Sequence, residues 1–137
     1  MPHLELVAQP PAPHAPEVSR EEAQAMQRAV VNLFTRWELG DDEACILLGG
    51  IGLRTFARWK TGELGRTNVD LQARMSNLLG IHKALRLLFD DPTQGYGWVR
   101  RPNSAFGGNS ALQVMLGGQL TDLMRVRRYL DAQRGAW

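Results

Sequence analysis

The residues able to do covalent or metal chemistry are few and poorly placed for it. The three histidines are His3, His14 and His82. Two lie in a proline-rich N-terminal stretch. His82 falls on the apolar face of a helical pattern, where a hydrogen-bonded core imidazole is expected rather than a ligand or base. Cys45 is the sole cysteine, so neither a disulfide framework nor a multi-cysteine zinc site is available, and a small buried hydrophobe is the expected role. Asp90 and Asp91 are sequence neighbours whose carboxylates point different ways; they read as a helix stop, not an acid/base pair. Gly107-Gly108-Asn109-Ser110 lacks the lysine and the preceding strand of a phosphate-cradling loop. No enzyme, metal site or cofactor is therefore expected. What remains is binding chemistry. Arg54, Thr55, Arg58 and Lys60 offer cations and a hydroxyl to phosphates and base edges, and Arg125, Arg127, Arg128 and Arg134 offer planar guanidinium forks to carboxylates.

The elements that must position these groups are helical. Ser19-Arg20-Glu21-Glu22 has the form of a capping box. Ala23, Met26, Val30, Leu33 and Trp37 then recur at steps of three and four, one face of an α-helix, with Gly40 expected to end it. Asp41-Asp42-Glu43 suits the start of a second helix, where the dipole favours acids. Gly49-Gly50-Ile51-Gly52 breaks that helix, and a third runs from Leu53 to about Thr61, stopped by Gly62. Thr67 or Asn68 caps a longer one with the face Leu71, Met75, Leu78, His82, Leu85, Phe89, ended at Asp90-Asp91-Pro92. Residues 93–109 read as a glycine-rich loop. Ser110 caps a short helix to Leu116, Gly117-Gly118 turns, and a last helix runs from about Gln119 to Arg134. No stretch alternates with period two, so the expected fold is all-α with five or six helices.

Length and charge set the frame. The chain has 137 residues, 44% of them hydrophobic, and a formal charge of +2, which excludes both a polycation and an acidic disordered chain. The charge is split: residues 1–66 carry −2 and residues 67–137 carry +4. Five of the seven prolines fall within residues 2–16, so residues 1–18 read as an extended tail. No apolar run is long enough to span a membrane and no signal peptide is apparent; a cytoplasmic protein is expected. The division expected is a tail over 1–18, a first domain over 19–66 and a second over 67–137.

Asp42–Lys60 has the short helix, glycine turn and second short helix of a helix-turn-helix. Ile51, Phe56 and Trp59 point inward at this spacing, and Arg54, Thr55, Arg58 and Lys60 are left outside for the major groove and its phosphates. Through Leu48-Gly49-Gly50-Ile51 and Thr55-Phe56-Ala57-Arg58-Trp59-Lys60-Thr61-Gly62 the segment resembles the Xre-type, lambda-repressor-like family. It departs at Gly52, where that family often caps the reading helix with Ser or Thr; glycine also caps, but a hydroxyl is lost. A half with net charge −2 neutralises few phosphates, so DNA binding is expected of a dimer or a larger complex.

Downstream, Trp98, then Pro102-Asn103, then Phe106-Gly107-Gly108, then Ser110-Ala111-Leu112 forms a spaced pattern. Trp98 and Phe106 can anchor a loop on the helices, and Asn103 can bond its own backbone to hold a turn. The pattern resembles the C-terminal domain of the Xre/MbcA/ParS antitoxins, whose N-terminal part is the same helix-turn-helix; the resemblance spans about Ser19 to Trp137. It implies a type II antitoxin that neutralises a RES-domain toxin, one that consumes NAD or transfers its ADP-ribose moiety, and that represses the operon they share. On this reading Trp98, Asn103, Phe106, Gly107 and Gly108 belong to the toxin-facing domain. Arg127 and Arg134 meet acidic groups of the toxin, and Gly135-Ala136-Trp137 enters its NAD-binding cleft, the tryptophan filling apolar space. The partners implied are a RES toxin, operator DNA and a second copy of the chain. The rival is a stand-alone helix-turn-helix regulator whose C-terminal half dimerises.

Overall fold

Ser19 begins the described structure's first helix as its capping side chain implies: its hydroxyl accepts from the Glu22 N–H at 3.1 Å. The computed structural model describes residues 18–135; residues 1–17 of the tail expected over 1–18, with His3 and His14, lie outside them, as do Ala136 and Trp137. Helix α1 is Arg20–Arg36, α2 Asp41–Leu47, α3 Leu53–Lys60 and α4 Val69–Leu88. Then come α5 Pro92–Trp98, a 3-10 turn Ser104–Phe106, α6 Ala111–Met115 and α7 Leu120–Gly135. Among the described residues there is no strand, only an isolated antiparallel bridge between Pro102 and Ser110. The fold is all-α.

Three expectations are corrected. Gly40 does not end α1. That helix stops at Arg36, and the left-handed position falls at Glu38, with φ 55°. Gly40 instead caps α2, where its amide donates to Glu43 Oε1 at 2.9 Å. Second, residues 93–109 are not all loop. Helix α4 already ends at Leu88, with Phe89 extended; Asp91 caps α5, accepting from the Thr93 amide at 2.9 Å, and Pro92 occupies the first turn, where its missing N–H costs nothing. Gly95 is buried where α5 lies on α4; a β-carbon there would stand 3.4 Å from the Leu85 carbonyl oxygen, in close contact. The described helices therefore number seven, not five or six. Third, His82 makes no hydrogen bond among the described residues; it is half-buried and stacks on Tyr96, ring centres 5.9 Å apart.

The core is built around α4. Met75, Leu78 and Ile81 are fully buried, and α4 packs against α7 on one side and α1 on another. Helices α1 and α3 join through aromatics: Phe34 lies 6.2 Å from both Trp37 and Phe56. Phe56 and Trp59 are buried, as the inward spacing requires. Gly49 is held by two constraints. Its φ is 85°, and a β-carbon would sit 2.8 Å from Arg74 Nε. Arg74 is itself buried, bonded to Asp70 Oδ2 at 2.8 Å and to the Gly118 carbonyl at 2.9 Å, so the helix-turn-helix corner rests on a polar strut from α4 to the turn before α7.

Candidate functional site

Helix α3 presents one face to the core and the other to solvent. Burying Phe56 and Trp59 leaves Arg54, Thr55 and Arg58 exposed, with no side-chain hydrogen bond or ion pair among the described residues. Their donors are free to meet phosphates and base edges. Lys60 is placed differently from the other three. Its Nζ lies 2.8 Å from Asp41 Oδ2 and 2.9 Å from Oδ1, tying the end of α3 to the first turn of α2. Both groups are well exposed, so the pair adds little stability, but it neutralises the cation nearest the end of the helix. Cys45 lies buried behind this pair, and burial, reinforced by Asp41 and then Asp42, pushes its thiol up; it stays protonated and packs as a small hydrophobe.

The loop from Trp98 to Ser110 is held by its own hydrogen bonds and by two side chains of α7, Arg125 and Tyr129. Asn103 Oδ1 accepts from the Ala105 amide at 2.9 Å. Its carbonyl accepts from the Phe106 and Gly108 amides, both at 3.0 Å, and its N–H donates to Asn109 O at 3.0 Å. Gly107 and Gly108 have φ of 67° and 90° with open space around them, so glycine serves backbone conformation there, not close packing. Trp98 stacks on Tyr129 at 6.1 Å, Phe106 meets Tyr129 edge-on at 5.2 Å, and Arg125 lies over the Phe106 ring at 5.4 Å. Ser110 and Gln113 form a reciprocal capping box at 3.1 and 2.8 Å.

Of the predicted toxin-facing residues, the described α7 carries Arg127, Arg134 and Gly135, and the side chains of this helix divide between two faces. Arg125 and Tyr129, one turn apart, face the loop. Arg127 and Arg134 face α4, where Arg127 Nη1 reaches the Ser76 carbonyl at 3.4 Å and both arginines approach Asp131 at 3.8 Å. Gly135 ends α7, exposed. Tyr129 and Arg100 were not singled out by sequence. Arg100 donates to the Trp37 carbonyl at 3.2 and 3.3 Å and the Glu38 carbonyl at 2.7 Å, so it fastens the end of α5 to the corner between α1 and α2. No local periodicity could show a bond across more than sixty residues.

At the junction of α1, α4 and α5, Arg36 lies 5.7 Å from the Tyr96 ring centre, on which His82 stacks. Burial, then Arg86 and Arg36, pushes the His82 imidazole below its usual value. The unfolded chain therefore binds this proton more readily than the fold. The stabilisation is complete above the unfolded value of about 6.5 and is lost as pH falls below it. Melting temperature is expected to drop on going from about pH 7.5 to about pH 5, and His82→Phe, which keeps a ring against Tyr96, is expected to shrink that drop. An equal drop in both proteins would remove His82 as its source.

Among the described residues no cluster of three or more His, Cys, Asp or Glu could hold a metal, and no helix is long and apolar enough to cross a membrane. Fold and surface together define a helix-turn-helix protein carrying a helical C-terminal binding domain. Residues 16–80 match the antitoxin Xre-like helix-turn-helix domain, and residues 84–135 match the antitoxin Xre/MbcA/ParS C-terminal toxin-binding domain. The uncharacterized protein y4oB of Sinorhizobium fredii is 42% identical over 121 residues, 88% of this chain and 93% of that protein. The chain belongs to the Xre/MbcA/ParS antitoxins: it has a DNA-binding helix-turn-helix and a toxin-binding C-terminal domain.

Proposed function

We propose that the toxin is a RES-domain protein that degrades NAD or transfers its ADP-ribose moiety, and that this chain inhibits it by filling the NAD-binding cleft. The observation that carries the reading is the match of residues 84–135 to the toxin-binding domain, which ends where α7 runs out into solvent. Gly135 is that exposed end, and Ala136 and Trp137 come next in the sequence. A tryptophan there has apolar area to fill a cofactor cleft, and tryptophan is enriched among the residues that dominate binding. The division of labour is residues 19–66 for DNA and 67–137 for toxin, with 1–18 as a tail. Co-expression with the RES-domain protein of the same operon is expected to restore growth and give a stable complex. Continued growth arrest with no complex would overturn the reading.

The same protein represses its operon. Arg54, Thr55 and Arg58 make the groove and phosphate contacts from α3, while Asp41 holds Lys60 back. With few free cations per chain, a homodimer or toxin complex is needed for two half-sites. Each base or phosphate contact contributes on the order of 1 kcal/mol. Arg54→Ala with Arg58→Ala is therefore expected to weaken operator binding at least about tenfold per chain, and Lys60→Ala to have a smaller effect. A gel shift unchanged by the double substitution would exclude α3 as the reading helix.

A further inference from the structure

Gly80 stands in the middle of α4, where glycine costs helix stability relative to alanine. Its neighbour on α7 explains it. A β-carbon at Gly80 would lie 2.5 Å from Arg127 Cζ and 2.6 Å from Arg127 Nε. The missing side chain is the seat in which the Arg127 guanidinium lies across α4, steadied by the Ser76 carbonyl at 3.4 Å. Gly80, Lys83, Arg127, Asp131, Arg134 and Gly135 line one groove, which thus holds three cations and one carboxylate, and Arg127 and Arg134 both approach that carboxylate at 3.8 Å. One turn beyond Lys83 on the same stripe of α4, Leu87 is 60% exposed.

We propose that this two-helix face of α4 and α7 is a docking surface for a protein patch of apolar centre and carboxylate rim, carried by the toxin. Leu87 enters the apolar centre, and Lys83, Arg127 and Arg134 take the carboxylates. The inference rests on the proposed toxin reading and extends it from the chain's end to α4. Charge selects the occupant. A second copy packed through a two-fold axis would set these cations against themselves. A nucleic acid would leave Leu87 without an apolar partner and bring phosphates onto Asp131. Gly80 is a positioning residue, since it acts only through Arg127.

The test uses the full-length chain and the RES-domain toxin of the same operon, inactivated in its active site, with affinity measured by titration calorimetry. Lys83→Glu with Arg127→Glu is expected to weaken binding about thirtyfold or more, and Leu87→Ser about tenfold. Gly80→Ala displaces only the far end of a flexible side chain. It is expected to keep or raise the melting temperature while lowering toxin affinity, a pairing that a purely structural glycine would not give. Wild-type affinity in all three variants, with the wild-type complex formed, would overturn this surface alone. Absence of a complex with the wild type would overturn the toxin reading and this surface with it. Retained toxin binding with lost operator binding would assign the face to nucleic acid and sink the proposal.

Discussion

A chain ended at Arg134 is expected to fold as the full chain does and to lose control of the toxin. The last buried residue of α7 is Leu130, and Asp131 to Gly135 are all exposed. Removing Gly135, Ala136 and Trp137 therefore takes away no described core contact, and the melting temperature should stay where it was. The proposed inhibitory contact goes entirely. A tryptophan that fills a desolvated pocket commonly contributes 2 kcal/mol or more, so affinity should fall by about thirtyfold or beyond, and co-expressed toxin should arrest growth. Trp137→Ala alone should reproduce most of the loss. Two readouts are needed together: thermal melting to show an intact fold, and growth with toxin to show lost inhibition. A truncated protein that still neutralises would move inhibition to the α4–α7 face or the Trp98–Gly108 loop. Operator binding is expected to survive the truncation, because Arg54, Thr55 and Arg58 lie on α3.

Much of the fold was legible because its signals are local. Ser19 and Ser110 cap through residues three positions on, and the face of α4 repeats every three or four residues. The inward placement of Phe56 and Trp59 follows from one helix's spacing. The errors arose where a residue serves two local purposes or where its partner is distant. Asp91-Pro92 reads in sequence as a stop, but α4 already ends at Leu88 and Asp91 caps the next helix, so one local signal hides α5. Its glycines read as a loop in sequence, whereas Gly95 lies buried in a helix packed on α4. Lys60 reads in sequence as one more cation for DNA, whereas Asp41, nineteen residues earlier, holds it. The charge split is likewise only half the account of the C-terminal region. Of its surplus cations, Arg100 is spent on backbone carbonyls of the first domain and Arg125 covers an aromatic ring. Lys83, Arg127 and Arg134 remain gathered on one groove.

Phe106 is a motif residue that is buried inside the toxin-binding domain. It is 4% exposed, enclosed by Tyr129, Trp98 and Arg125. Truncating a buried phenylalanine costs about 3–5 kcal/mol, a large part of the 5–15 kcal/mol typical of a whole domain. Phe106→Ala is therefore expected to lower the melting temperature by roughly 10 °C or more. Because α7 packs on α4 and α4 on α1 within one core, the loss should appear in a single transition that includes the helix-turn-helix. Toxin binding should weaken only as far as the fold does: well below the melting temperature the variant should still neutralise, and Phe106→Leu, which keeps apolar volume, should recover much of the stability. Asn103→Ala removes one turn-closing hydrogen bond and should cost about 1 kcal/mol. Trp98 differs from Phe106 in being half-exposed beside its Tyr129 stack, so Trp98→Ala can lose contact area as well as stability. Differential scanning fluorimetry alongside toxin titration separates the two cases. A Phe106→Ala protein with wild-type melting and no neutralisation would make Phe106 a contact residue after all, and would require the loop to open when the toxin binds.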